Sequence, residues 1–133
     1  MKILSLFSNV GFGESYLGEL GHEVVVSNEL LPDRVEFYKK LNPNTKEVIC
    51  GDICVQSVQS KIIKACEKYG PIDIIIATPP CQGMSVANAQ KESNDVRNRL
   101  IVQAMSIFNK VSPKYMLIEN VPQMAKTLSL IHI

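Results

Sequence analysis

Thr78-Pro79-Pro80-Cys81-Gln82-Gly83 closes the apolar run Ile72 to Ala77, and Glu119-Asn120-Val121 closes a second run, Tyr115 to Ile118. A thiolate is a strong nucleophile, and a carboxyl group can steady charge in a heterocycle under attack. At the ends of two strands, Cys81 and Glu119 fit a covalent catalytic pair. Two prolines fix the backbone ahead of the thiol, because each locks its own φ and restricts its predecessor. Pro80, Gln82 and Asn120 then serve as loop support, Asn120 by side-chain bonds to backbone. The plainer reading is a buried structural cysteine and a strand-end acid that caps the next segment. Cys50, Cys54 and Cys66 fit the structural role, whereas the rigid lead and polar sequel set Cys81 apart.

Three further positions could hold a small molecule. Phe7-Ser8-Asn9-Val10-Gly11-Phe12-Gly13 joins an apolar strand to the next segment with small or αL-tolerant residues, which lets backbone approach a ligand. It is not the G-x-G-x-x-G dinucleotide pattern, and any strand–helix turn can use glycine. Glu29, after a second apolar run, could accept both hydroxyls of a ribose. Asp52, in Gly51-Asp52-Ile53, could accept a hydrogen bond from an adenine amino group. For either acid taken alone, helix capping or plain surface charge is the preferred explanation. Arg97 and Arg99 could touch phosphate, but a solvated helix face accounts for them too.

The elements that must position these residues alternate. Lys2–Phe7, Glu23–Ser27, Glu47–Cys50, Asp73–Ala77 and Tyr115–Ile118 read as strands, with Glu29 just beyond the second. Helical spacing predicts helices over Glu14–Leu20, Pro32–Leu41, Ser57–Lys68 and Arg97–Asn109. Gly21 is a plausible helix stop, and Pro32 suits a first turn. The expected inner faces are Val58, Ile62, Ile63 and Cys66 on the third helix, and Leu100, Ile101, Ala104, Met105 and Phe108 on the fourth. Such alternation implies an α/β fold: a parallel, Rossmann-like sheet with helices on both faces and a switch point near strand one. Ligands bind outside the carboxyl ends of such strands, and all the residues singled out fall there.

The chain has 133 residues, 46% apolar and 20% charged, enough for one buried core but short for a two-domain enzyme. A formal net charge of +1 gives no electrostatic argument for nucleic-acid binding. The cysteine spacing is not that of a metal site, so no metal is expected. With no leader and no apolar stretch long enough for a bilayer, a reducing cytoplasm and no membrane partner are expected.

Taken in order, these segments resemble the N-terminal half of a DNA (cytosine-5) methyltransferase. The resemblance runs to about Thr127. Pro79-Pro80-Cys81-Gln82 and Glu119-Asn120-Val121 carry it most specifically. Phe7 to Gly13 resembles the family's F-x-G-x-G loop, with Asn9 at the first glycine. Asp95-Val96-Arg97-Asn98-Arg99-Leu100 resembles its D-x-R-N-x-L segment.

The resemblance implies a cofactor, S-adenosylmethionine, over Phe7, Val10 and Gly11, with Asn9 in the same loop. Glu29 would hold its ribose, Asp52 and Ile53 its adenine, and Pro79 would lie near the methyl donor, with Leu100 close by. The substrate would be double-stranded DNA, bound through the complete enzyme, with the cytosine flipped out. Cys81 would attack C6, and Glu119 would hydrogen-bond N3 and the exocyclic amine. A bacterial restriction-modification system with a cognate restriction endonuclease is the expected setting, although no residue specifies the endonuclease. The family's Q-x-R-x-R segment, target-recognition region, later strands and closing helix have no counterpart here. The chain alone is therefore expected to be inactive.

Leu128 to Ile133 back-translates to CTG TCT CTT ATA CAC ATC, the transposon end used in sequencing-library preparation. Residues 1–127 are accordingly expected to be a partial methyltransferase domain and 128–133 an adapter-derived tail. A natural apolar helix after Pro122 is the other reading. Three further alternatives remain: a transfer-RNA cytosine-5 methyltransferase, a subunit of a split methyltransferase or cofactor-binding remnant, and a thiol oxidoreductase. The last lacks a C-x-x-C pair and leaves Glu119 without a role.

Overall fold

The computed structural model describes residues 1–80 and 96–119. Cys81, Gln82, Asn120 and the tail 128–133 lie outside the described residues. Five strands, β1 (Lys2–Leu6), β2 (Glu23–Glu29), β3 (Glu47–Cys50), β4 (Ile74–Ala77) and β5 (Tyr115–Ile118), form one sheet in the order β3-β2-β1-β4-β5. Every pairing is parallel. The chain builds outward from β1 to β3, then crosses back to β4 and β5. The order reverses beside β1, as the alternation implied. Runs such as Val24–Val26 and Ile74–Ile76 suit strands that are covered on both faces.

Three helices connect the strands: α1 (Pro32–Leu41), α2 (Gln56–Tyr69) and α3 (Val96–Val111). Both α1 and α2 pack on β2 and β3, while α2 also packs on α3. Right-handed crossovers in a sheet that reverses direction set α1 on one face and α2 with α3 on the other. Leu4, Leu6, Val26, Ile62, Ile75 and Ile107 are fully buried in the core. Burying each such side chain stabilises the fold by about 2 kcal/mol.

Several local features differ from the sequence expectation, and Cys50 and Cys54, expected in a buried structural role, are exposed. Strand β2 runs on to Glu29, which pairs with Cys50 of β3, so Glu29 ends the strand rather than following it. The segment Glu14–Leu20 is not a helix; a single 3-10 turn, Phe12–Glu14, gives way to a series of turns. Tyr16 and Leu20 are exposed there and offer no apolar stripe to the core, and glycines at 13, 18 and 21 weaken any helix. On α2, Ile63 is only half-buried and Gln59 is buried in addition to the expected residues. On α3, Ile101, Ala104 and Ile107 are buried, and Leu100, Met105 and Phe108 pack half-buried at the margins.

Candidate functional site

The strand exits are tied to one another before any ligand is considered. Thr78, just past β4, donates its backbone N–H to Leu6 O (3.2 Å) and its hydroxyl to Phe7 O (3.0 Å). Ser8 donates its N–H to Asn28 O at 3.0 Å, and Gly51 donates to Glu29 O at 2.9 Å. Asn28, almost wholly buried, donates from Nδ2 to Ile49 O (3.0 Å) and Gly51 O (3.1 Å). Glu119 continues the β4–β5 ladder, its N–H donating to Ala77 O at 3.0 Å. Neighbouring strands thus end in register and leave a cleft outside their carboxyl ends.

That cleft has a volume of about 390 Å3, within the range of roughly 300–1,000 Å3 typical of small-molecule sites. Phe7 and Asn9 line it from the first loop. Glu29, Leu30, Leu31 and Arg34 line it from the end of β2 and the start of α1, with Asp52 and Ile53 beyond β3. Pro79 and Pro80 after β4, Leu100 on α3 and Glu119 after β5 complete the wall. Pro79 is buried, Pro80 exposed.

Glu29 is the most firmly held of these groups. Its Oε2 accepts the Asn9 N–H at 2.9 Å and its Oε1 the Leu31 N–H at 3.1 Å, with the Arg34 guanidinium 3.9 Å away. A carboxylate offers about four lone-pair sites. Two are spent on orienting the group, and the others can accept from a diol. The Asn9 geometry requires φ +51, and Phe7 is also left-handed at φ +58. The second is a costly conformation for a bulky side chain and is held by the Thr78 hydroxyl on its carbonyl.

Asp52 makes a tight turn, its Oδ1 accepting the Cys54 N–H at 2.8 Å. Ile53 behind it is buried, and its carbonyl accepts from Gln59 Nε2 at 2.9 Å; the same Nε2 reaches Gln103 Oε1 at 2.6 Å. Gln59 therefore locks the Asp52-Ile53 turn to α2 and α3.

Val10 and Gly11 do not line the cleft. Gly11 (φ +84) instead lies against α1, where a Cβ would overlap Asn42 Nδ2 and come within 2.8 Å of the Tyr38 ring. Asn28, Leu30, Leu31, Arg34, Gly51 and Thr78 line the cleft without having been anticipated. Arg34 sits in the first turn of α1, shortly after Glu29 ends β2, so the charge pair was a readable signal. The part played by Asn28 depends on pairing between β2 and β3.

The profile of the C-5 cytosine-specific DNA methylases matches residues 1–129. This chain belongs to that family. It is 43% identical over 127 residues to the Type II methyltransferase M1.HgaI of Avibacterium volantium, covering 92% of this chain and 35% of that protein. It is 35% identical to M.NgoPII of Neisseria gonorrhoeae over 124 residues, 93% of this chain and 34% of the relative. A prophage-encoded protein of E. coli, crystallised as a DNA modification methyltransferase, superposes with a TM-score of 0.72 at 27% identity, over 98% of this chain and 37% of its own. The S. pombe Dnmt2 methyltransferase shares the fold at 18% identity, with a TM-score of 0.64 over 95% of this chain and 36% of its own. The chain thus spans about a third of the length of each of these four methylases. Among the described residues no helix is long and apolar enough to cross a membrane. No group of three or more His, Cys, Asp or Glu among them could hold a metal ion.

Proposed function

We propose that this chain supplies the cofactor-binding and catalytic end of a DNA cytosine-5 methyltransferase of the restriction-modification type. Its cofactor is S-adenosylmethionine and its substrate double-stranded DNA. The observation that carries the reading is the convergence on one cleft of Asn9, Glu29, Asp52, Pro79, Leu100 and Glu119, from six separate segments. Family membership supports the reaction class, and the Type II relatives support the setting.

The donor set fits this cofactor. Glu29, Asp52 and Glu119 face Arg34 as the one cation lining the cleft, among the described residues. That balance favours a cationic ligand and repels a pyrophosphate. Leu30, Leu31, Ile53 and Leu100 give an apolar wall suited to a purine. Glu29 accepts the ribose hydroxyls with lone pairs its backbone donors leave over, Asp52 accepts from the adenine amino group, and Phe7 and Pro79 close over the ligand. When bound, S-adenosylmethionine supplies an electrophilic methyl group.

The target cytosine enters flipped from the duplex, since its C5 and C6 are otherwise stacked. The Cys81 thiolate adds to C6, and the displaced electron pair makes C5 nucleophilic. Glu119 hydrogen-bonds N3 and the exocyclic amine, so the ring tolerates the added charge. Once C5 carries its methyl group, loss of the C5 proton re-forms the double bond and expels Cys81.

A duplex carrying 5-fluorocytosine tests this in the complete protein that contains the chain. Fluorine at C5 blocks the proton loss, so a covalent complex that survives denaturation forms with wild type and is absent with Cys81→Ala. Methyl transfer by Cys81→Ala would refute the assignment of the nucleophile.

A further inference from the structure

Glu14 is an acid where the fold has no evident need of one. It is buried, 6% exposed, in the 3-10 turn that ends the loop carrying Asn9. Burial pushes its pKa above the ordinary carboxylate value, and the Ser5 hydroxyl and its own backbone amide offset this only in part. Ser5 lies in the middle of β1 and donates to Glu14 Oε1. An apolar side chain would fill the same space without the desolvation cost. A polar group placed at such cost points to a requirement for geometry rather than for stability.

The surrounding bonds show which geometry that is. Glu14 N–H donates to Gly11 O at 3.2 Å, Gly11 N–H to Ser8 O at 2.9 Å, and Ser8 N–H to Asn28 O at 3.0 Å. Ser27 Oγ donates to Ser8 Oγ at 2.7 Å. Between these anchors lies Asn9, whose N–H aims at Glu29. Gly11 is pressed on its other side against Tyr38 of α1 and Asn42, the residue that caps that helix. The loop is therefore clamped at both ends. Ser8 fixes its start to β2, and Glu14 fixes its far end to β1.

We propose that Glu14 is a positioning residue for the cofactor loop: its buried carboxyl, held by the Ser5 hydroxyl, keeps the Phe7–Gly13 segment in the form that aims the Asn9 N–H at Glu29. The hydrogen bond, not the charge, does the positioning, so glutamine replaces glutamate and leucine does not. Ser5→Ala removes the same bond from the other side.

Amide hydrogen exchange on the chain itself tests this without reference to the cofactor. Glu14→Leu and Ser5→Ala speed exchange at the Asn9 and Gly11 amides by about tenfold or more. The amides of Ile62 and Ile75 keep their wild-type rates, and Glu14→Gln restores the loop. The proposal is overturned if loop amides keep wild-type rates in Ser5→Ala, if exchange rises equally throughout the sheet, or if Glu14→Gln behaves like Glu14→Leu. A second readout rests on the cofactor reading. S-adenosylhomocysteine affinity falls about tenfold in Ser5→Ala and is retained in Glu14→Gln. Wild-type protein that fails to bind this ligand would refute the cofactor reading, while the exchange rates still decide the role of Glu14.

Discussion

The Asn9 backbone N–H donates to Glu29 Oε2 at 2.9 Å, joining the left-handed turn after β1 to the last residue of β2. One bond both sets the loop and orients the acid. Glu29→Ala is therefore expected to weaken S-adenosylhomocysteine binding by more than the loss of two ribose contacts, because the Asn9 amide is also left unmatched. A loss of about a hundredfold or more, read by titration calorimetry, matches charge-assisted bonds of roughly 1.5–3 kcal/mol each. Glu29→Gln turns its amide nitrogen toward one backbone donor and recovers only part of the affinity.

Gly11 and Gly51 are constrained by packing as well as by backbone conformation. At Gly51 (φ +150) a Cβ would lie 2.8 Å from Val58 Cγ2; at Gly11 it would meet Asn42 and Tyr38. Either alanine substitution costs about 2 kcal/mol or more in urea unfolding. Gly13, whose Cβ position is open within 4 Å, is the control, and its alanine variant stays within about 0.5 kcal/mol of wild type.

The described cysteines should separate cleanly in labelling. Burial, with help from Glu67 and Glu47, pushes the Cys66 thiol up to about 12, whereas Cys50 and Cys54 are exposed. A maleimide at neutral pH modifies Cys50 and Cys54 in the folded chain and reaches Cys66 only on unfolding. Mass spectrometry of the peptides reads the difference.

Burial raises the pKa of Glu14 above its ordinary value of 4.5, so the folded chain holds that proton more tightly than the unfolded chain does. The stability tied to the neutral acid is complete below the unfolded value and is lost as pH rises through the folded one. Glutamine never bears this loss. The melting temperature of Glu14→Gln relative to wild type should therefore rise as the pH climbs above the ordinary carboxylate value of 4.5. A flat difference would mean the carboxyl titrates as though solvated.

Much of the scaffold was legible because its signals are local. Val24–Val26 and Ile74–Ile76 are β-branched runs, and Pro32 marks the start of α1. The acids at 29, 52 and 119 stand out because each breaks an apolar pattern at a strand's carboxyl end. Glu14–Leu20 was misread because Leu17 and Leu20 have helical spacing, yet Leu20 and Tyr16 face solvent and no core contact offsets the glycines. Asn28, Gln59 and Thr78 were missed because their roles lie in bonds to carbonyls on other elements. Gly11 belongs to a cofactor-like motif, but its contact with Tyr38 depends on how α1 packs.

Titrating S-adenosylhomocysteine into the isotopically labelled chain, with its amide resonances followed, tests the cofactor cleft itself. Saturable one-to-one binding is expected, shifting the amides of Asn9, Leu30, Ile53 and Leu100, and it is lost in Glu29→Ala. A folded chain that shows no saturable shift, or shifts away from this cleft, would contradict the cofactor reading.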